Sequence, residues 1–340
     1  MSFIIPIFIP HQGCPHACIF CNQFQISGQS DQDPVTPDDV HHIIDTWLKR
    51  SPGRTNEEVQ AAFYGGSFTG LPFARQEELL DAVSPFIRRG EVQAIRLSTR
   101  PDYIDAQRIR LLKEKGVRVV ELGVQSLDDQ VLAASNRGHS AKHSIEAFEL
   151  LREAGFQVGV QMMIGLPTQT TRSLMKTVRL IASLRPDFVR IYPVLVLKGS
   201  RLARLYNEGQ YKPLSLGGAV ARAARVKKVF DEHDIRVIRI GLQAGADLER
   251  SLMAGPYHPA FGEMVASRIM FQYTRKLLVN SGHDTRVVLR INDKDQSVFR
   301  GTKSYNMHRL STLGLRERFT LETDPDLPRN SVHIIHSPMS

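Results

Sequence analysis

Cys14-Pro-His-Ala-Cys18-Ile-Phe-Cys21 holds all three cysteines of the chain, spaced C-x3-C-x2-C. Three thiolates so placed can ligate three irons of a cubane [4Fe-4S] cluster. The fourth iron then has no protein ligand and is open to an exogenous one, as an open zinc position is open to substrate. The alternative is a zinc site completed by His11 or His16. Structural zinc usually takes its ligands as two separated pairs, and no second cysteine pair exists in the sequence. An odd cysteine number and the lack of a secretory signal argue against a disulfide framework. Clustered thiols without a targeting segment fit a reducing cytoplasm.

The cysteines need a scaffold, and the apolar patterning supplies one. Short runs rich in Ile, Val or Phe fall at 3–9, 59–64, 92–98, 117–122, 157–163, 188–192 and 236–240, as strands buried on both faces should read. Helical patterns lie between them. Thr36-Pro37 suits an N-cap and first position, with Val40, Ile43, Ile44, Trp47 and Leu48 on one face. Residues 141–153 form another amphipathic helix, stopped by Gly155. Such alternation predicts an α/β fold, a parallel sheet curled into a partial (β/α)6 barrel spanning 1–245. In barrels of this kind chemistry sits at the C-terminal strand ends. The cysteine segment follows the first strand, and Gly65-Gly66-Ser67-Phe68-Thr69-Gly70 follows the second. Ser98, Gln125, Gln161, Ile164 and Gly165 fall at later strand ends, with Arg137 in the loop-helix after the fourth. Glu121 and Arg100 read equally well as a salt bridge lining the barrel mouth.

From about residue 246 the rhythm changes, predicting a separate, small α+β C-terminal module at 246–340. Leu252 to Leu278 reads as mostly helical, interrupted by Gly255-Pro256-Tyr-His-Pro259, with Val287–Ile291 and His333–Ile335 as strands. Lys294, Arg300, Lys303, Arg309, Arg316 and Arg318 concentrate positive charge there; an ordinary solvated face explains them equally well. The whole chain has 340 residues, 42% apolar and 23% charged, the balance of a soluble globular protein. Its net charge of +9 favours an anionic partner such as nucleic acid. No stretch is long enough to span a bilayer.

The cysteine spacing, early in the chain and after an apolar strand, resembles the cluster motif of radical S-adenosylmethionine (SAM) enzymes. The resemblance implies a [4Fe-4S] cluster on Cys14, Cys18 and Cys21, with SAM chelating the open iron. It implies reductive cleavage of SAM to methionine and a 5′-deoxyadenosyl radical that abstracts hydrogen. It places Gly65, Gly66 and Ser67 at the SAM amino group, and Gln125, Arg137 and Gln161 at its polar groups. Ile164 and Gly165 fall where the adenine is held. Phe20 would shield one side of the cluster. Thr99-Arg-Pro-Asp-Tyr103, Glu121-Leu-Gly-Val-Gln-Ser126, Asn136-Arg-Gly-His139 and Arg185-Pro-Asp187 resemble more closely the radical SAM half of the Elongator catalytic subunit. That subunit modifies the wobble uridine of tRNA with acetyl-CoA bound by an acetyltransferase domain. The chain departs from it in two ways. It ends too early for that domain, and Ser98 stands where the relatives usually carry glutamate. The C-terminal segment, with Ala254-Gly-Pro-Tyr-His-Pro-Ala-Phe-Gly-Glu263, resembles a module on short stand-alone bacterial Elongator-like proteins.

The leading expectation is therefore a cytoplasmic enzyme that modifies tRNA or another RNA and draws electrons from a low-potential donor of flavodoxin or ferredoxin type. Two others stand beside it. One is a radical SAM enzyme on a small molecule such as a tetrapyrrole, since oxygen-independent coproporphyrinogen oxidase has similar Gly-Val-Gln and Gly-Leu-Pro motifs. The other is a non-catalytic iron–sulfur binding protein.

Overall fold

The computed structural model describes residues 2–9, 11–14, 18–22, 34–50, 58–282 and 286–335. Seven strands form one sheet: β1 (Phe3–Phe8), β2 (Val59–Tyr64), β3 (Ala94–Thr99), β4 (Val117–Gln125), β5 (Gln157–Ile164), β6 (Phe188–Pro193) and, after the short β7 (Val196–Leu197), β8 (Arg236–Ile240). Their order in the sheet is their order in the chain, every pairing is parallel, and β1 and β8 are the unjoined edges. The sheet curls into a half-barrel. All seven strand regions expected from the apolar runs are present.

The two faces differ in chemistry. On one, Val120, Leu122, Val124, Val158, Val160, Met162, Val189 and Ile191 are buried, and the helix Ala141–Glu153 packs over β4 and β5. The opposite face carries Gln60, Tyr64, Arg96, Ser98, Glu121, Gln161 and Arg190, an unusually polar lining for strands this apolar in sequence. Alternation along each strand forces this split, because successive side chains point to opposite sides.

Helix ends follow local chemistry. Thr36 caps Pro37–Lys49 in a capping box with Asp39, and Ser140 caps Ala141–Glu153 with His143. Gly155 leaves that second helix at φ +83°, which suits glycine.

The chain divides into two compact units, 1–215 with 229–257 and 216–228 with 258–340. Within the first, β9 (Leu252–Ala254) pairs antiparallel with β7. Ahead of the expected interruption at Gly255–Pro259 the chain is thus strand and not helix, and after it the helix runs Phe261–Asn280. Gly255 explains the break: it sits at φ +119° against Leu195 Cα and Val194 O, both 3.2 Å from where a Cβ would lie. In the second unit, β10 (Val287–Ile291) lies between β11 (Phe319–Thr323) and β12 (His333–Ile335), parallel to the first and antiparallel to the second. Phe271, Leu278, Leu289, Phe299, Leu310 and Phe319 form its core. It is a small α+β body.

Candidate functional site

The cysteine loop is held by backbone. Ile9 N donates to Tyr64 O at 2.8 Å, Cys14 N to His11 O at 3.2 Å and Ser67 N to Gln12 O at 2.9 Å. A Cβ on Gly66 would collide with Gln12 O and Ile9 O, one on Gly13 with Ser67 O, and one on Gly70 with Gly13 O. Glycine is required at all three because two chain segments touch main chain to main chain. Farther along, Cys21 N donates to Cys18 O at 3.0 Å, and Ile19 is buried among Val131, Leu166, Val194 and Leu202, with Phe20 packed against them. Pro15, His16 and Ala17 lie outside the described residues.

The three cysteines are not disulfide-bonded to one another, Cys18 being buried and the others half-buried. Burial pushes the Cys14 thiol up, against the pull of Arg137 and Arg100. Arg137 Nη1 stands 3.2 Å from Cys18 Sγ, and Arg100 Nη1 stands 4.0 Å from it. Arg137 also donates from Nε to His139 Nε2 at 3.1 Å and from Nη2 to Gly123 O at 2.5 Å. Arg100 grips Asp102 with two bonds, of 3.0 and 2.8 Å, and reaches Arg137 O at 2.6 Å. Ser67, Thr69 and Thr99 join their hydroxyls beside this group, and Ser67 Oγ accepts from Arg100 N at 3.1 Å.

Gln125 closes the same neighbourhood. It is buried at φ +63°, its amide lies with Arg137 Nη2 above Gly123, and its Oε1 has no hydrogen-bond partner among the described residues. A buried acceptor without a donor is costly, so this oxygen is a natural place for a ligand N–H or O–H.

A second constellation lines the polar face of the sheet. Glu121, fully buried, accepts from Tyr64 Oη at 3.1 Å, Arg96 Nε at 2.6 Å, Arg190 Nη2 at 3.0 Å and Gln161 Nε2 at 2.9 Å. Burial alone would raise its carboxyl, but Arg190 and Arg96 hold it below the ordinary range. Burial and Glu121 together push the Tyr64 phenol up. Glu121 is therefore a fixed anion with its oxygens engaged by Arg96 and Arg190, not by Arg100 as expected from the sequence. Arg100, by contrast, pairs with Asp102.

The expected SAM residues are not all alike in this geometry. Arg137 reaches Cys18, Gln125 lies beside Arg137 at Gly123, and Ser67 bonds the Arg100 backbone. Gln161 is tied to Glu121, and Ser98 Oγ donates to Phe63 O at 3.4 Å on the same polar face. Ile164 is fully buried on the apolar face, and its carbonyl already accepts from Val194 N at 2.9 Å. Gly165 N donates to Gln169 Oε1 at 2.7 Å while its carbonyl accepts from Tyr211 Oη at 2.6 Å. Gly65 turns the chain at φ +97°. Sequence reasoning missed Arg96, Arg190 and His139. A lone arginine inside an otherwise apolar strand, as in Ala94-Ile-Arg-Leu-Ser-Thr99, was the available signal.

Comparison with known proteins decides the family. Residues 8–181 match the model of the radical SAM superfamily, and residues 186–270 match that of the radical SAM C-terminal domain. The chain belongs to the radical SAM superfamily. Among curated relatives, a Methanocaldococcus infernus tRNA uridine(34) acetyltransferase is 26% identical over 70% of the chain and 51% of its own length. Zebrafish (Danio rerio) Elongator complex protein 3 is 28% identical over 64% of the chain and 47% of its own length. The chain thus spans about half the length of these relatives. The structure of archaeal Methanocaldococcus infernus Elp3 with an N-terminal deletion shares the fold, with TM-score 0.63 at 23% identity, covering 82% of this chain and 64% of that one.

The cofactors of this enzyme family are a [4Fe-4S] cluster and SAM, and the residues fit them. Among the described residues no three His, Cys, Asp or Glu side chains converge on one metal ion. Thiolates on a cubane bind separate irons and stand farther apart than ligands of a single ion. Of two buried guanidiniums at Cys18, Arg100 is paired with Asp102, and among the described residues no other carboxylate pairs with them, which leaves positive charge that an anionic cluster would neutralise.

Proposed function

We propose that this radical SAM protein modifies RNA, most directly tRNA, by hydrogen abstraction. When bound, the reduced cluster supplies the electron that cleaves SAM. Cys14, Cys18 and Cys21 would hold three irons, while Gln125, Arg137 and the Gly65–Ser67 turn would orient SAM beside them. Gln161, Ser98 and the Glu121 pair would keep the barrel wall in place behind the reacting nucleoside. The reading includes a low-potential donor of flavodoxin or ferredoxin type and a cytoplasmic setting. Among the described residues no helix is long and apolar enough to cross a membrane.

The observation that carries the RNA reading, beside the relatives' names, is a groove of about 430 Å³ on the loops after β4 and β5. Asp128, Thr168, Arg172, Lys176 and Arg179 line it. The three cations are exposed, lie on successive turns of the helix Thr171–Leu184, and have no ion-pair partner among the described residues. Unpaired cations on one stripe suit a phosphate backbone. The C-terminal basic residues contribute less, because Arg309 stacks on Phe271 at 3.9 Å, Arg316 lies over Phe319 at 5.2 Å, and Arg318 caps Leu278 O at 2.7 Å.

The test is 5′-deoxyadenosine release by anaerobically reconstituted protein given dithionite and SAM, with and without bulk tRNA. Release that rises with tRNA is expected. Release indifferent to tRNA would remove RNA from the substrate position, and a porphyrin precursor that raised it instead would favour the small-molecule reading.

A further inference from the structure

The Cys18 sulfur sits inside a hydrogen-bonded cage in which Arg137, placed beside SAM above, is joined by Arg100, Asp102 and His139, which have no role in binding SAM or substrate described above. Arg137 commits three of its five N–H donors, to Cys18, His139 and Gly123. Because Arg137 Nε donates to His139 Nε2, that nitrogen must carry a lone pair. The imidazole proton then sits on Nδ1, which faces Ser140 O at 3.2 Å and Ser144 Oγ at 3.4 Å. A doubly protonated His139 would set N–H against N–H. Neutral His139 is thus an acceptor that aims Arg137 at the thiol. Arg100 is aimed in the same way, locked by the Asp102 carboxylate and the Arg137 carbonyl, with its Nη1 at 4.0 Å from the sulfur. Arg100, Arg137 and His139 are 2%, 7% and 5% exposed, so water screens this cage weakly.

We propose that Arg100 and Arg137, aimed by Asp102 and His139, are positioning residues that raise the reduction potential of the iron–sulfur cluster through Cys18. This rests on Cys18 holding an iron. Reduction adds one electron, delivered by an external low-potential donor, to a cluster already made anionic by three thiolates. The added charge is stabilised by a nearby guanidinium and by an N–H···S hydrogen bond, more than the oxidised form is. No proton need move, because an arginine stays protonated throughout.

The experiment is an EPR-monitored potentiometric titration of the reconstituted full chain without SAM. Wild type is compared with Arg137→Gln, Arg100→Gln, His139→Ala and His139→Gln at equal iron loading. At fixed applied potential, Arg137→Gln is expected to lower the reduced-to-oxidised ratio about tenfold, ~59 mV for a one-electron couple. Arg100→Gln should act in the same direction and less, given its longer reach. His139→Ala should mimic Arg137→Gln, and His139→Gln, whose amide oxygen can accept from Arg137, should restore the wild-type midpoint. Unchanged midpoints in Arg137→Gln and Arg100→Gln would overturn the proposal while leaving the family chemistry intact. Should either arginine variant fail to load iron, His139→Ala and Asp102→Asn keep both guanidiniums and decide the matter by the same midpoint. A wild type that never assembles a cluster would instead overturn Cys18 as an iron ligand, and the proposal with it.

Discussion

His139 illustrates how one side chain makes its surroundings sensitive to pH. Burial first, then Arg137, pushes its pKa from 6.5 down to about 4. Between those values the unfolded chain binds the proton that the folded chain refuses, so stability rises with pH there. Its contribution is complete above 6.5 and is lost as the pH falls through about 4. At ~1.4 kcal/mol per unit, this amounts to about 3 kcal/mol at most. His139→Gln, which cannot charge, should flatten the dependence of the urea midpoint on pH between 4 and 6.5 in the metal-free protein. Slopes that superimpose would mean that His139 titrates normally. None of this was legible in sequence: Arg137 and Cys18 are 119 positions apart, and only the fold tells a histidine near a helix start that it faces an arginine. The cysteines were legible because a metal cluster fixes their spacing locally.

At the level of elements, the glycines divide into two kinds. Gly155 has open space where a Cβ would go, so Gly155→Ala pays only the left-handed strain of ~1–2 kcal/mol. Gly66 has two backbone oxygens there, and neither can move without displacing the cysteine loop or β1. Gly66→Ala should therefore leave the secondary structure by circular dichroism but sharply reduce iron uptake, whereas Gly155→Ala should lower the melting temperature and bind iron normally. Equal iron in both would show that the loop does not depend on the turn. The strands of the sheet could be read from sequence because one face is apolar throughout and the other still carries apolar residues between its polar ones, which leaves short runs rich in Ile, Val and Phe. β11 escaped because Phe319-Thr-Leu-Glu-Thr offers apolar residues only at alternate positions. β7 and β9 are two or three residues long, and their pairing is set by the fold around them.

For the whole molecule, the net charge of +9 matters less than where it is left unpaired. Many of the arginines are spent inside the protein, on Glu121, Asp102, carbonyls and aromatic rings. Affinity for tRNA should fall with salt, and Arg172→Glu with Lys176→Glu and Arg179→Glu should reduce the slope of log K against log salt by up to about three units. A slope untouched by the triple change would move the RNA path elsewhere on the surface.

The joint between the cysteine loop and the glycine turn has one more consequence. Its hydrogen bonds and close contacts are made by main chain and need no metal. The chain leading into Cys14 is therefore shaped by folding, before any iron arrives, and the entropy of arranging that part is already settled. A protein emptied by air or chelator keeps this approach to the cysteine segment. Recovery then calls for iron, sulfide and a reductant, and not for a second round of folding.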